Sequence, residues 1–274
     1  MSAKPTILYL TDLSYEARGR RYCDEDIFVS SQLRQGFTVV LCHPLDAVAL
    51  MDDFDVTVVR NTGPVIHYQA EYDRFRARAL ESGVRVYNPL TGKADMVGKR
   101  YLVDLSRDGY PVIPTVDRPD DLGRLPGTAE YAVKPMLGAD SIGLRFVGPE
   151  ELDRIAFGDV LVQPRIDFVH EVSFYFVDRA FQYALYAPRP DRRWELEPYR
   201  PDATDLVFAQ RFVDWNGLDH GIQRVDACRT REGELLLVEL EDLNPYLSLD
   251  ALDATARTAF VSAMERSVLG LLRG

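Results

Sequence analysis

The stretch RVDACRTREGELLLVELEDLNP, residues 224–245, is the most informative part of the sequence about the fold and the site. Apolar and charged residues alternate along both of its halves, and a Glu-Gly pair separates the halves as a hairpin turn would. Because successive side chains of a strand point to opposite faces, Arg224 and Asp226 share one face of the first strand. Glu239 and Glu241 share one face of the second. If the strands pair, three carboxylates and one arginine meet on the same side of a sheet.

Such a group of carboxylates predicts a metal site. Like charges packed together are costly unless a cation neutralises them. Mg²⁺ prefers oxygen ligands and also binds nucleotide phosphates. We therefore predict Asp226, Glu239 and Glu241 as metal ligands, with Arg224 as a catalytic residue facing a developing phosphoryl charge. A solvated, charged sheet face is the alternative, and this segment alone does not decide between the two.

A second motif, YAVKPMLGADSIGLRFV at 131–147, predicts an anion-binding loop. A strand ends near Lys134, a glycine-bearing loop follows, and another strand begins at Gly143. Gly138, Ser141 and Gly143 would let backbone amides approach phosphates that Lys134 also reaches. The motif is not the Walker pattern, because no Gly-Lys-Ser/Thr opens a helix. An ordinary hairpin with a glycine turn is the alternative.

Strands and helices alternate through the first ninety residues, which predicts a parallel sheet. Ligands of such sheets bind at the carboxyl ends of the strands. Arg60, Asn61 and Thr62 follow the third predicted strand, so we expect them to face a substrate. The predicted strands are 6–12, 36–43, 54–62 and 84–89, and the predicted helices are 23–35, 45–53 and 70–83.

The pattern changes after residue 90. Successive strands without long helices between them indicate antiparallel sheet. A Pro- and Arg-rich segment at 187–202 predicts a mobile loop carrying Arg189, Arg192 and Arg193. Helices are predicted at 93–109, 149–156 and 252–273, and strands at 110–116, 130–135, 143–147, 159–166, 169–178, 180–188, 223–230 and 234–242.

Together the two motifs resemble the glutathione synthetase-like branch of the ATP-grasp superfamily, over roughly residues 85–250. The resemblance implies an α/β fold with α+β character in its C-terminal part: an ATP-grasp fold preceded by a small Rossmann-like parallel-sheet domain. The implied units are an N-terminal domain (1–90), a lysine and glycine-loop subdomain (91–165) and a C-terminal metal-binding subdomain (166–274).

The resemblance also implies a nucleotide site. The first lysine of the family's pattern falls at Lys99, with Lys93 as the alternative. The adenine hinge resembles VLVQPRI at 160–166, and HEVSFYF supplies Glu171 for the ribose or the substrate. The implied nucleotide-binding residues are Lys99, Lys134, Gly138, Ser141, Gly143, Gln163, Arg165, Ile166 and Glu171.

The sequence departs from the family's pattern in two places. Many of these enzymes end the metal motif with Glu-x-Asn, whereas Glu241 takes the asparagine position and Asn244 follows three residues later. We expect Glu241 to bind metal and Asn244 to support the site or face the substrate. His170 replaces the usual glycine before Glu171.

The implied reaction is the ADP-forming joining of a small carboxylate to an amine through an acyl phosphate. Lys134 and Arg224 would be catalytic, with ATP and Mg²⁺ as cofactors; two metal ions are expected, with Mn²⁺ as an alternative metal. A kinase or phosphotransferase without an amine acceptor, and a non-catalytic nucleotide-binding paralogue, remain alternatives. The expected substrate-contacting residues are Arg60, Asn61, Thr62, Arg189 and Asn244.

Composition excludes several other classes of protein. The net charge of −11 argues against a nucleic-acid partner, which needs a basic face. Apolar stretches are shorter than the roughly 18 to 20 residues of a membrane span, so no membrane association is expected. Three cysteines, without zinc spacing, favour reduced thiols. We expect a cytoplasmic enzyme, with a homodimer as the family's expectation.

Overall fold

The computed structural model describes residues 3–17, 20–137, 142–189 and 192–274. Strands β4, β1, β5 and β6 form a parallel sheet in that order, and β2 pairs with β3 separately. β1 and β5 are central and almost wholly buried, which explains their continuous apolar sequences. In chain order the elements are β1 (Thr6–Leu10), β2 (Glu16–Ala17), β3 (Arg20–Arg21), α1 (Cys23–Leu33), β4 (Thr38–Cys42), α2 (Ala47–Leu50), β5 (Val56–Val59), α3 (Gln69–Ser82) and β6 (Val86–Tyr87).

Two antiparallel sheets follow. The smaller has the order β8-β7-β9, and the larger has the order β12-β11-β10-β13-β14. Short 3-10 helices, among them Asp95–Val97 and Pro149–Arg154, connect the longer elements. These longer elements are α4 (Tyr101–Arg107), β7 (Tyr131–Pro135), β8 (Arg145–Val147), β9 (Val160–Pro164), β10 (Phe168–Val177), β11 (Ala180–Ala187), β12 (Glu197–Tyr199), α5 (Ala203–Asn216), β13 (Ile222–Thr230), β14 (Leu235–Glu241) and α6 (Ala254–Arg273).

The hydrophobic cores show which elements pack together. One core joins the N-terminal sheet to the large antiparallel sheet and to α6, through residues such as Tyr9, Tyr175 and Phe260. Another packs α4 and α5 against the large sheet. The small sheet has a core of its own, and it reaches the second core through Leu161 and the partly buried Met136.

Buried polar contacts strengthen the junction of the two large sheets. The carboxylate of Glu25, on α1, accepts hydrogen bonds from the amides of Leu247 at 3.0 Å and Leu249 at 3.2 Å. Arg60 follows β5 and donates to the carbonyl of Pro245 at 2.7 Å. These contacts hold the end of the acidic segment against the N-terminal sheet.

The predicted α/β class is confirmed, but several elements differ. The predicted helix at 93–109 is interrupted at Gly98, whose φ of 93° favours glycine, so that only Asp95–Val97 and Tyr101–Arg107 are helical. The predicted strand at 110–116 forms only isolated bridges at Val112 and Val116. The predicted helix at 45–53 is broken into α2 and two 3-10 turns.

Four of the labelled elements were not predicted, namely β2, β3, β12 and α5. β12 pairs with β11, so the segment predicted as a mobile loop contains a strand. α5 begins after Asp202, which caps it by accepting from the amide of Asp205, and ends at Gly217 with φ of 71°. Those residues are sequence signals for a helix start and stop. Within the described ranges, no helix is long and apolar enough to cross a membrane.

Candidate active site

A cavity of about 750 Å³ lies between the small sheet, the large sheet and the segments that follow strands of the parallel sheet. Its volume is typical of a small-molecule or cofactor site. Strand residues of the small and large sheets line it, together with α3 and loop residues of the N-terminal part of the chain. The predicted site residues among its lining are Asn61, Lys99, Lys134, Gln163, Arg165, Ile166, Glu171, Arg224, Asp226, Glu239, Glu241 and Asn244.

The acidic hairpin forms one wall of this cavity. β13 and β14 are antiparallel, with Arg224 opposite Glu241 and Asp226 opposite Glu239. The alternation in sequence therefore places all four side chains on the cavity side. A register shift follows Asp226, beyond which the strands continue in the apolar core.

The carboxylates on this wall are balanced by two cations. Arg224 donates to Asp226 from Nε at 3.0 Å and from a terminal nitrogen at 2.8 Å, and also pairs with Glu241. Lys99 pairs with Glu239. Burial raises the pKa of Glu241 to about 7; Asp226 adds to that rise, whereas Arg224 opposes it. The two cations therefore do not fully offset the cost of burying these carboxylates.

The donor set suits a hard divalent cation in its chemistry. Three carboxylates on one sheet face supply the oxygen ligands that Mg²⁺ prefers. Within the described ranges, no group of three or more His, Cys, Asp and Glu side chains stands close enough to hold a metal ion. The carboxylates are instead paired with Lys99 and Arg224. A bound cation would need to exchange with these contacts.

Lys99 is held by a polar junction that the sequence did not reveal. The carboxylate of Asp242 accepts from the amides of Ala94 at 3.1 Å and Met96 at 2.9 Å. In return, Asp95 accepts from the amide of Asp242 at 2.6 Å. This exchange fixes the segment before Lys99 against the end of β14. Asp242 directly follows Glu241 and Asp95 lies four residues before Lys99, and no separate sequence pattern marks either aspartate.

Lys134 projects from β7 into the same cavity. Burial, together with the nearby charge of Lys99, lowers its pKa to about 7. Gly143 has φ of 76° beside Pro135 and does not line the cavity, so its predicted contact with nucleotide is not supported by this geometry. Gly138 and Ser141 lie outside the described residues.

The predicted adenine hinge lines another part of the cavity. Gln163 donates through its side chain to Thr115 at 2.7 Å, so this buried amide is already used within the protein. Arg165 pairs with Glu130, and its guanidinium lies 4.9 Å from the ring centre of Phe146. Phe146 also lines the cavity and adds an aromatic surface to the hinge.

Glu171 on β10 has a partner that was not predicted. Arg193 donates to its two carboxylate oxygens at 2.9 Å and 2.6 Å. Both residues line the cavity. Nothing in the sequence indicated that Arg193, on the 187–202 segment, pairs with Glu171, because the two residues are 22 positions apart in the chain.

Three expected substrate residues do not face the cavity. Arg60 is 1% exposed and lies against Glu25 and the carbonyl of Pro245, so it is a buried structural residue. Thr62 accepts a hydrogen bond from the Asn244 side chain at 2.9 Å and does not line the cavity. Arg189 pairs with Glu195 at the surface. Asn61 and Asn244 do line the cavity.

The N-terminal wall contains aromatic and basic residues that sequence reasoning missed. The ring centres of Tyr22 and Tyr246 are 4.4 Å apart, and Tyr15 lies 5.3 Å from Tyr22. Tyr72 and Arg76 on α3 also line the cavity. The spacing of these last two residues, one helical turn apart, was a usable signal because it places them on one helix face.

The arrangement of sheets around this cavity defines the ATP-grasp fold. No family sequence profile matches the chain. In structure, it is similar to the D-cycloserine synthetase DcsG, with a TM-score of 0.75 and 22% identity over 95% of this chain and 99% of that one. It is also similar to D-alanine–D-alanine ligase from Bacillus anthracis in complex with ATP, with a TM-score of 0.65 and 13% identity over 99% of both chains. The predicted ATP-grasp fold is confirmed.

A relative is also found by sequence. The cycloserine biosynthesis protein DcsG of Streptomyces lavendulae is 28% identical over 253 residues, which cover 78% of this chain and 84% of the relative. A further structure, the ATP-grasp ligase PsnB in complex with a minimal precursor variant, Mg and ADP, has a TM-score of 0.63 and 15% identity over 96% of this chain and 99% of that one.

Proposed function

We propose that this chain is an ADP-forming, ATP-dependent ligase that joins a small carboxylate to an amine. The observation that carries the proposal is the convergence of Lys99, Lys134, Arg224 and the acidic hairpin in one cavity. The ligases similar to this chain in fold and sequence support the same reaction class.

The proposed reaction has two steps. An oxygen of the substrate carboxylate attacks the γ-phosphorus of ATP, the bond from that phosphorus to the bridging oxygen breaks, and ADP leaves. The amine nitrogen then attacks the carbonyl carbon of the acyl phosphate, the carbon–oxygen bond to phosphate breaks, and the amine loses a proton. The products are an amide, ADP and inorganic phosphate.

Cationic side chains would serve the first step. The γ-phosphoryl group carries concentrated negative charge, and preorganised cations stabilise its transfer more strongly in a site that excludes water. Lys134 and Lys99 would bind phosphate oxygens from adjacent sides. Arg224 would face the transferring group while staying held by Asp226. Glu171 would bind the ribose, and Gln163 to Ile166 would line the adenine.

Asp226, Glu239 and Glu241 would hold Mg²⁺. When bound, the metal would neutralise phosphate charge and align the nucleotide. We propose two ions, with Mn²⁺ able to substitute. Lys99 and Arg224 would then exchange some of their carboxylate contacts for phosphate contacts. Asn244 would support this site from the side of the parallel sheet.

The substrates proposed are small and amino-acid-like. One similar structure is a D-cycloserine synthetase and another is a D-alanine–D-alanine ligase. Both names indicate small, amino-acid-like molecules. The other ligases include PsnB in complexes with a precursor. We favour the small substrates because the sequence relative is also a cycloserine biosynthesis protein.

The test is ADP release from Mg-ATP with individual amino acids and small carboxylates, with and without hydroxylamine. Hydroxylamine converts an acyl phosphate to a hydroxamate. ADP that depends on one carboxylate, with hydroxamate formed, is the expected result. A stable phosphorylated product without hydroxamate would instead indicate a kinase, which the similar proteins do not favour. Absence of nucleotide binding would contradict the proposal.

The remaining expectations belong to the same proposal. We retain a cytoplasmic location with reduced thiols; Cys23, Cys42 and Cys228 are all buried. We retain homodimerisation, to be measured by light scattering. We also retain the units 1–90, 91–165 and 166–274, although α4, in the middle unit, packs against the large C-terminal sheet.

A further inference from the structure

The N-terminal wall of the cavity carries one cation with an unusual environment. Arg76 lies on α3 and lines the cavity together with Gln69 and Tyr72. Positions 69, 72 and 76 fall on one face of a helix because they are separated by three and four residues. Phe75 and Ala79 are buried and fix the rotation of α3, so this face points to the cavity.

Arg76 differs from its neighbours on α3. Arg74 pairs with Glu71 at 3.1 Å, and Arg78 pairs with Asp52. Within the described ranges, Arg76 has no ion-pair partner. Its Nε is buried and has no hydrogen-bond partner. Its guanidinium instead lies 5.7 Å from the ring centre of Tyr72.

A buried donor without a partner requires an explanation, because most such groups in proteins are satisfied. Arginine presents a planar fork of donors that matches a carboxylate in two parallel hydrogen bonds. The aromatic ring of Tyr72 stabilises the guanidinium from one side and leaves its edge for a ligand. An anionic ligand would therefore complete the environment of Arg76.

The other cations of the cavity indicate which anion this is. Arg76 and Lys134 are the cavity-lining cations without a carboxylate partner in the described part of the chain. Lys134 belongs to the glycine-loop sheet and is assigned above to phosphate. Arg76 belongs to the N-terminal domain and faces the cavity from another wall. The paired cations are Lys99 with Glu239, Arg165 with Glu130, Arg193 with Glu171 and Arg224 with Asp226.

Tyr72 also places Arg76 towards the phosphate end of the cavity. Its hydroxyl donates to the carbonyl of Met96 at 3.4 Å. Met96 lies three residues before Lys99, whose amide donates to the carbonyl of Met136 beside the glycine loop at 2.9 Å. Under the proposed function, the substrate approaches the nucleotide here.

We propose that Arg76 binds the carboxylate of the acid substrate and is a specificity-determining residue of the ligase. The inference rests on the proposed function, because it assigns a residue to the substrate of that reaction. The substrate class is an amino-acid-like acid whose carboxylate is held by the Arg76 fork, beside the tyrosines of the N-terminal wall.

The experiment compares wild type, Arg76→Ala, Arg76→Lys and the matched control Arg74→Ala. Mg-ADP affinity is measured by calorimetry. Individual D- and L-amino acids and their amides are then tested in the presence of Mg-ADP by thermal shift, and as substrates by ADP release. Thermal unfolding without ligand shows whether each variant is folded.

We expect Arg76→Ala to keep its affinity for Mg-ADP and to lose stabilisation by the acid that stabilises wild type. Its KM for that acid should rise by about 10- to 100-fold, as loss of charge-assisted hydrogen bonds implies. Arg76→Lys should recover part of the loss, because it restores the charge without the fork. Arg74→Ala should resemble wild type, and the amide of the acid should not bind.

Other outcomes overturn the inference. Weaker Mg-ADP binding with an unchanged KM for the acid would place Arg76 at the phosphates. Wild-type behaviour of Arg76→Ala in both assays would leave it only a packing role against Tyr72. If no acid stabilises wild type, the inference fails. Binding of an acid through Arg76 without ADP release would contradict the proposed ligase while sustaining this assignment.

Discussion

Arg193 donates to both carboxylate oxygens of Glu171, at 2.9 Å and 2.6 Å, and both residues line the central cavity. Glu171 is also the residue that we assign to the ribose. A carboxylate engaged with both donors of an arginine has less capacity left for a hydroxyl. Nucleotide binding should therefore compete with this ion pair.

Substitutions at the two partners should have opposite effects on Mg-ADP affinity. Glu171→Ala should weaken binding by about tenfold, the effect of one lost charge-assisted hydrogen bond. Arg193→Ala should leave the affinity unchanged or tighten it by up to about fivefold, because an exposed ion pair is weak. Calorimetry with Mg-ADP checks both. Weaker binding by Arg193→Ala would mean that Arg193 itself contacts the nucleotide.

Lys134 should make nucleotide binding dependent on pH. Its pKa is lowered to about 7 by burial and by Lys99, and a phosphate partner would raise it again. Above pH 7 the free enzyme must take up a proton to bind, so Mg-ADP affinity should fall as the pH rises, by up to about tenfold per pH unit. Calorimetry from pH 7 to 9 measures this slope.

The controls for this pH dependence are substitutions of the same lysine. Lys134→Ala should bind Mg-ADP weakly and without the slope. Lys134→Arg should stay charged and also lose the slope, since arginine does not deprotonate in this range. A slope that persists in Lys134→Ala would assign the titrating group elsewhere.

Glu239→Gln should abolish Mg-dependent turnover without unfolding the protein. It removes one proposed metal ligand and the charge that pairs with Lys99. We expect kcat to fall by at least about 100-fold, in keeping with the loss of one preorganised electrostatic group. ADP release over a range of Mg²⁺ concentrations measures the effect. Glu232→Gln, at the exposed turn of the same hairpin, is the matched control. A wild-type rate for Glu239→Gln would refute the metal assignment.

Arg60→Met should reduce stability rather than substrate affinity. Arg60 is buried beside Glu25 and Asp26, and its removal leaves two buried acidic groups without their cation. Breaking such a buried pair should lower the free energy of unfolding by about 3–5 kcal/mol. Urea unfolding measures this loss. Arg78→Met, which breaks a surface pair with Asp52, should change little. A raised KM with unchanged stability would restore Arg60 to the substrate site.

The acidic hairpin could be predicted from sequence because its information is local. A two-residue period and a short turn fix which side chains share a face, and the register of β13 and β14 agrees with that expectation. The ATP-grasp resemblance rests on the same local pattern. The interruption at Gly98 was harder to predict because the flanking residues keep helical spacing through it.

The positions of Arg60 and Arg76 depend on long-range packing, and the sequence did not predict them. Arg60 follows a strand whose end meets the cleft, but Glu25 and Asp26 on α1 draw its side chain into the interior. Arg76 reaches the cavity only because Phe75 and Ala79 set the rotation of α3. The spacing of Tyr72 and Arg76 does place them on one helix face, but it does not show that this face meets the cavity.

The separate core of the small sheet has a mechanical consequence. The parallel sheet and the large antiparallel sheet share one core and are linked by the hydrogen bonds of Glu25, so we expect them to move together as one rigid unit. The small sheet shares with the second core only Leu161 and Met136 among the described residues, pairs with the 112–116 segment at Val116, and carries Lys134 and the hinge. We expect the small sheet to rotate towards this unit when the nucleotide binds. The distance between spin labels on β8 and α6 should then shorten when Mg-ADP binds. The distance between labels on α1 and α6 should stay the same.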